Sequence, residues 1–241
     1  MPKKRKNVGL LLMTAMLPVF AVSCAAAHTA GTASEEPTPV EKSVVYVLSA
    51  EPDDWRLRLV NRWNPIPEDY DLTLTQLING QSIDERCYPD LQDMMDDCRA
   101  AGLSPLICSS YRTWALQEEL YENKVQRLIA EGYDEETARW EAGTVVAVPG
   151  TSEHQLGLAV DIVDINNQNL DESQEDTAVQ KWLMEHSWEY GWILRYPCDK
   201  SDITGIIYEP WHYRYVGKEA AQEIHTLGVC LEEYLDAVDS R

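Results

Sequence analysis

Two short segments about fifty residues apart place the strongest constraint on how this chain can fold: Ser152-Glu153-His154-Gln155-Leu156-Gly157-Leu158-Ala159-Val160-Asp161 and Glu209-Pro210-Trp211-His212. Together they carry two imidazoles, one carboxylate able to join them on a metal, and a second carboxylate beside the last imidazole. Two His and one Asp or Glu leave the fourth position of a tetrahedral zinc open for water, which is the stoichiometry of a catalytic site. A spare carboxylate next to it is the proton acceptor that a metal-activated water needs. The chain therefore reads as a zinc hydrolase, and its fold has to lay the two segments against each other.

The first segment has its own internal logic. If Leu158 to Val163 is a strand, Ala159, Asp161 and Val163 share one face, and Leu158, Val160 and Ile162 share the other. The second set is wholly branched aliphatic and belongs in the core. A small Ala beside Asp161 leaves room for a metal and a substrate above the sheet. His154 lies seven residues before Asp161, an odd spacing that would put the two on opposite faces of one unbroken strand. The backbone must turn between them, and Gly157 can do so without steric cost. In the second segment Pro210 argues against a regular helix or a central strand, so Glu209 to His212 reads as a strand end or bend. Trp211 is a packing wall beside the site or a core aromatic with no part in chemistry. His28, His186 and His225 read as structural or tether residues.

Elsewhere the pattern predicts a strand at Val44–Leu48 and a helix from about Pro89 to Ala101, with Leu91, Met94, Met95 and Cys98 at helical spacing and Gly102 as its C-terminal cap. Pro105 to Ser109 is a buried strand, and Trp114 to Ala130 a helix. Thr177 to Tyr190 is a helix ended by Gly191. Ile203 to Tyr208 is a strand and Lys218 to Leu227 a late helix. Helices in the first half and strands around both motifs predict an α+β domain, a small antiparallel sheet carrying the site and packed by several helices.

The N-terminal end reads as an address label. Lys3, Lys4, Arg5 and Lys6 precede an apolar run from Val8 to Val22, too short for a comfortable permanent span. The run ends in Ala21-Val22-Ser23-Cys24, which resembles a bacterial lipobox with Ala21 where leucine is usual. Residues 1–23 are thus read as an export signal and Cys24 as the site of a lipid anchor to the membrane, with cleavage by an ordinary signal peptidase near Ala25 to Ala27 as the alternative. Residues 24–43, small, polar and Pro-containing, read as a flexible tether, and 44–241 as the catalytic domain. Four of the 20 basic residues fall in the signal and all 41 acidic ones beyond it, so the exported part keeps 16 against 41 and carries a net charge of −25. Such a surface repels nucleic-acid phosphates, and no nucleic-acid partner is expected. If Cys24 is acylated, five Cys remain, leaving at least one free thiol; Cys87 with Cys98 and Cys198 with Cys230 are open pairings.

Ser152-x-His154-x-x-Gly157-x-Ala159-x-Asp161 followed by Glu209-x-Trp211-His212 resembles the signature of the VanY-type zinc D-alanyl-D-alanine carboxypeptidases. These are relatives of the D-Ala-D-Ala dipeptidases and of the L,D-carboxypeptidases that trim peptidoglycan stem peptides. The resemblance extends to Ser110-Tyr111-Arg112-Thr113 with Gln117, and to Tyr213-Arg214-Tyr215-Val216-Gly217, covering roughly residues 70 to 235. It implies a Zn2+ cofactor held by His154, Asp161 and His212, with Glu209 as general base and Arg112 as the cation near the scissile carbonyl. Ser152 and Gln117 match positions that contact substrate, although Gln117 on a helix can equally face solvent. The implied activity is removal of the C-terminal D-alanine from peptidoglycan stem peptides. The neighbouring readings are an L,D-carboxypeptidase, a D,D-endopeptidase, or a non-catalytic zinc-bearing module that binds the cell wall.

Overall fold

The pairing of the site-bearing strands follows from their sequences. Ala159–Asp164 alternates into the core on one side and needs hydrogen-bonded neighbours on both edges. In the computed structural model, which describes residues 54–240, it finds them in Pro105–Ser109 and His212–Tyr215. The elements in chain order are β1 (Leu74–Gln76), β2 (Ser82–Asp84), α1 (Tyr88–Ala100), β3 (Pro105–Ser109), α2 (Trp114–Ala130), α3 (Glu135–Val145), β4 (Ala159–Asp164), α4 (Ala178–His186), β5 (Trp192–Leu194), α5 (Ser201–Thr204), β6 (His212–Tyr215), α6 (Lys218–Leu227) and α7 (Leu231–Asp239). β1 and β2 form a small hairpin, and the other strands form an antiparallel sheet in the order β3-β4-β6-β5. This is the expected α+β class. The export signal, the tether, Cys24 and the strand expected at Val44–Leu48 lie outside the described residues.

The central ladder explains the site. β4 and β6 pair with Asp161 opposite His212 and Ala159 opposite Arg214. Directly opposed residues on antiparallel strands project to the same face, so His212 and Asp161 meet by register alone. The other face carries Val160, Ile162 and Tyr213 into the main core, where Leu158 just before β4, Leu91, Met94 and Cys98 of α1, and Val179 and Leu183 of α4 join them. α1 starts with Pro89 in its first turn, where the missing N–H costs nothing. α2 is capped by the Thr113 hydroxyl, which accepts the Leu116 N–H. It packs on α3 through Tyr121, Val125, Leu128, Ala138 and Ala142. A third cluster joins α6 and α7 through Ala221, Ile224, Leu231 and Tyr234.

One predicted strand is corrected. Ile203 to Tyr208 is not extended: Ser201–Thr204 forms a helical turn and Gly205 ends it in the left-handed region at φ +78°. The run is apolar because Ile206, Ile207 and Tyr208 line a cavity, not because they fill a sheet. The helix expected at Thr177–Tyr190 is α helical to His186 and continues as a 3₁₀ turn over Ser187–Tyr190. All five cysteines among the described residues are free, so neither pairing is formed. Among the described residues no helix is long and apolar enough to cross a membrane.

Candidate metal centre and substrate cavity

His154 sits in a 3₁₀ turn, Glu153–Leu156, that closes on Gly157 at φ +68°. That left-handed residue is the bend the odd spacing demanded. It redirects the chain into β4, so that His154 arrives beside Asp161 instead of behind it. The turn is braced from the segment after β3: the Arg112 N–H donates to the His154 carbonyl at 3.2 Å, and Nδ1 of His154 lies 2.7 Å from the Ser110 carbonyl. A carbonyl can only accept, so Nδ1 carries the hydrogen and Nε2 presents a lone pair.

Glu209 and His212 converge through a tight turn. The His212 N–H donates to the Glu209 carbonyl at 3.1 Å, with Pro210 at the second position, where its fixed φ is preorganised. Glu209 Oε2 thereby stands 3.8 Å from His212 Nδ1.

The ligand-type atoms of His154, Asp161 and His212 all lie within 4.8 Å of one another, and all three residues are buried. His154 Nε2 is 3.3 Å from Asp161 Oδ2, and His212 Nδ1 is 3.1 Å from Asp161 Oδ1. Zinc bonds of about 2.0–2.1 Å in a tetrahedron put donor atoms about 3.3 Å apart. The donor set fits zinc, and its atoms lie close enough to be drawn onto one ion. The two imidazole rings meet edge to face with centroids 4.9 Å apart.

Arg112 reaches the same point. Its Nη2 donates to Asp161 Oδ2 at 2.6 Å, Nε to Ser109 Oγ at 2.9 Å, and Nη1 to Gln117 Oε1 at 3.4 Å. Gln117, expected at the substrate, is fully buried behind Arg112 and donates to the Ala147 carbonyl at 2.6 Å. It touches the cavity's guanidinium and is not itself part of the cavity wall. The Ser152 side chain lines the cavity. The cavity, about 790 Å³, is walled by the metal-site residues with Arg112, Tyr196, Glu209 and Trp211, and extends to Lys124 and Arg127 on α2.

Burial and the neighbouring charges together set the protonation of these groups. The first pushes the Glu209 carboxyl up to about 8 against the pull of His212. Burial, with the nearby Arg112 charge, brings His154 down to about 4. For His212 burial acts the same way but is outweighed by hydrogen bonds to Asp161 and Glu153, and the group rises to about 9. Asp161 is held well below the usual carboxylate range, because His154, His212 and Arg112 together outweigh its burial.

Behind the site lies a charged cluster that the sequence reading missed. Glu153 Oε1 accepts from Arg195 Nε and Arg214 Nη1, each at 2.7 Å. Arg195 in turn makes two bonds to Glu232 at 2.7 and 2.8 Å. Glu153 lies within the first motif and Arg214 follows the last His, so both were in view. Their partnership, 61 residues apart, left no local signal.

A model of the VanY D-alanyl-D-alanine carboxypeptidase family matches residues 80–218, more than half of the chain and every residue of the site. The chain belongs to that family. Membership makes it a peptidase. A D-alanyl-D-alanine carboxypeptidase of Enterococcus faecalis is 46% identical over 95% of this chain and 82% of its own length. The solved structure of VanYB in complex with D-alanine-D-alanine shares 52% identity and a TM-score of 0.70, covering 76% of this chain and 98% of that one. A VanY mutant from a VanB-type resistance cassette, in complex with Zn(II), matches with 52% identity and a TM-score of 0.69 over 76% of this chain and 99% of that one.

Proposed function

We propose that this chain is a zinc-dependent D-alanyl-D-alanine carboxypeptidase that removes the terminal D-alanine from peptidoglycan stem peptides. The observation that carries the reading is the convergence of three buried donors within 4.8 Å of one another, with a carboxylate 3.8 Å from one of them. Family relatives bound to Zn(II) and to D-alanine-D-alanine support the metal and the substrate class.

Zinc held by His154, Asp161 and His212 would acidify water and polarise the scissile carbonyl. Glu209 takes the proton of the attacking water and returns it to the departing amine of the terminal D-alanine. Burial is the main cause that raises its carboxyl to about 8, against the pull of His212. A divalent charge nearby favours the ionised form it needs at the start. Arg112 is rigidly held by Ser109 and Gln117 and stabilises negative charge developing on the carbonyl oxygen. Gln117 acts through Arg112. The Ser152 hydroxyl, which has no hydrogen bond to any described residue and borders the cavity, anchors the substrate's terminal carboxylate. The export signal and Cys24 anchor read from residues 1–24 would hold the enzyme on the outer face of the membrane, where stem peptides are exposed.

Incubation of the purified protein with pentapeptide and tetrapeptide stems, with products read by mass, tests the proposal. One D-alanine should leave the pentapeptide, chelator should stop the reaction, and the tetrapeptide should survive. Cleavage of the tetrapeptide alone would replace the bond assignment with an L,D one. Glu209→Ala should keep its zinc and lose about 10²–10⁴-fold in kcat. Near-normal turnover in that variant would remove Glu209 from its role.

A further inference from the structure

The geometry points to Glu153 as a positioning residue that selects which nitrogen of His212 faces the metal. This rests on the zinc reading above. Nδ1 of His212 faces Asp161 Oδ1 at 3.1 Å and Glu209 Oε2 at 3.8 Å, so it is the nitrogen turned toward the donor cluster. Nε2 points the other way, to Glu153 Oε2 at 3.4 Å. A carboxylate can only accept, so Glu153 holds a ring hydrogen on Nε2 and makes Nδ1 the nitrogen that would give way to a metal. His154 does the reverse, giving Nδ1–H to the Ser110 carbonyl and presenting Nε2. The two ligands thus use opposite nitrogens, each fixed by what lies behind it.

The carboxylate that does this is itself immobilised. Both arginines grip Oε1, leaving Oε2 for the imidazole. Arg214 is anchored further by the carbonyls of Arg56 and Arg58, each accepting at 2.9 Å, and Arg195 by Glu232. Glu153, Arg195 and Arg214 are all nearly or wholly inaccessible. A buried ionic cluster of this kind is weak evidence for stability, since apolar side chains of similar volume often serve as well. An oriented acceptor at the back of a metal-binding imidazole is something apolar side chains cannot supply. Register adds to this, because His212 and Arg214 are two apart on β6 and project to one face. Arg214 therefore carries Glu153 to the same side of the sheet as the ring it steers.

Zinc affinity, measured by competition with a chelating dye, separates this role from a structural one. Glu153→Gln should weaken zinc binding by about 10–100-fold, with part of the lost activity restored by excess zinc. Val238→Ala, which opens a cavity between α7 and the core, should lower the melting temperature and leave zinc affinity unchanged. Nitrogen-15 spectra of zinc-loaded wild-type protein should show His212 bound through Nδ1 with hydrogen on Nε2, and these decide the matter even where the variant does not fold. Affinity within twofold of wild type in Glu153→Gln, equal weakening in Val238→Ala, or binding through Nε2 of His212 would each overturn the inference. A wild-type protein that takes up no zinc would overturn the metal reading, and this one with it. Unchanged affinity in Glu153→Gln beside a zinc-loaded wild type would overturn this one alone.

Discussion

Gly157→Ala is the substitution from which most can be worked out in advance. Gly157 occupies the left-handed region at φ +68°, which costs an L-residue about 1–2 kcal/mol. Space is also short. An added Cβ would lie 3.0 Å from the Asp84 backbone nitrogen, 3.0 Å from Leu72 Cδ1 and 3.4 Å from Asp84 Cβ. The Asp84 nitrogen cannot retreat freely, because its N–H donates to the Gly157 carbonyl at 3.0 Å. Overpacking of this kind costs about 1–3 kcal/mol. Together the two effects predict a loss of about 2–5 kcal/mol, or a fall in Tm of about 5–15 °C for a domain of this size. Gly228→Ala isolates the backbone part, since Gly228 has φ +65° and its added Cβ would meet nothing within 4 Å. It should lose only about 1–2 kcal/mol. Thermal melts of both variants after chelator treatment give the comparison without a contribution from metal. Only Gly157→Ala should also weaken zinc binding, because only Gly157 aims His154 at Asp161. Coincident melting curves for the two variants would refute the packing argument, and unaltered zinc affinity in Gly157→Ala would refute the role of the bend.

Other expectations follow from the same contacts. Arg112→Lys keeps the charge but cannot satisfy Ser109, Gln117 and Asp161 from one planar fork, and kcat/KM on pentapeptide should fall by about 10²–10³-fold. A loss below threefold would remove Arg112 from oxyanion stabilisation. Iodoacetamide with peptide mapping should label exposed Cys198 first. Cys98 and Cys230, buried and raised to about 11, and Cys108, raised to about 12, should follow only slowly or on unfolding. Early labelling of Cys98 would contradict the described packing. For Glu232, burial is outweighed by Arg195 and Asn61, so its folded carboxyl titrates below the ordinary range. Its contribution to stability is therefore full above an unfolded value of about 4.3 and lost as pH falls through the lower folded value. Melting temperature should drop on acidification in that window, and Glu232→Gln should flatten the slope; an equal slope in the variant would refute the linkage.

What could be read from sequence was whatever repeats locally. The stripe Leu91, Met94, Met95 and Cys98 announces α1, and the aliphatic face of β4 announces the core strand, because both elements bury large side chains at a regular period. α3 escaped notice because its buried face is Ala138, Ala142 and Gly143, which gives little hydrophobic contrast. β5 is three residues long, too short for any alternation to register. Ile203–Tyr208 misled because a cavity wall is as apolar as a strand. At the site, the bend at Gly157 is legible since the spacing of His154 and Asp161 requires one. The Glu209 turn is legible only as a bend, as its closing bond depends on backbone angles that Pro210 only half determines. The arginine cluster behind His212, whose members meet only after the sheet is assembled, is not legible. Gln117 shows the same limit: position on a helix says which face a residue takes, not which neighbour it serves.

The rung that joins Asp161 to His212 has a mechanical consequence. An ion gripping both side chains would act as a removable staple across the two middle strands, closing a loop of about fifty residues much as a cross-link does. Occupancy by the ion would then add to resistance against unfolding by mass action. Metal starvation would slacken the scaffold and silence the chemistry in one stroke.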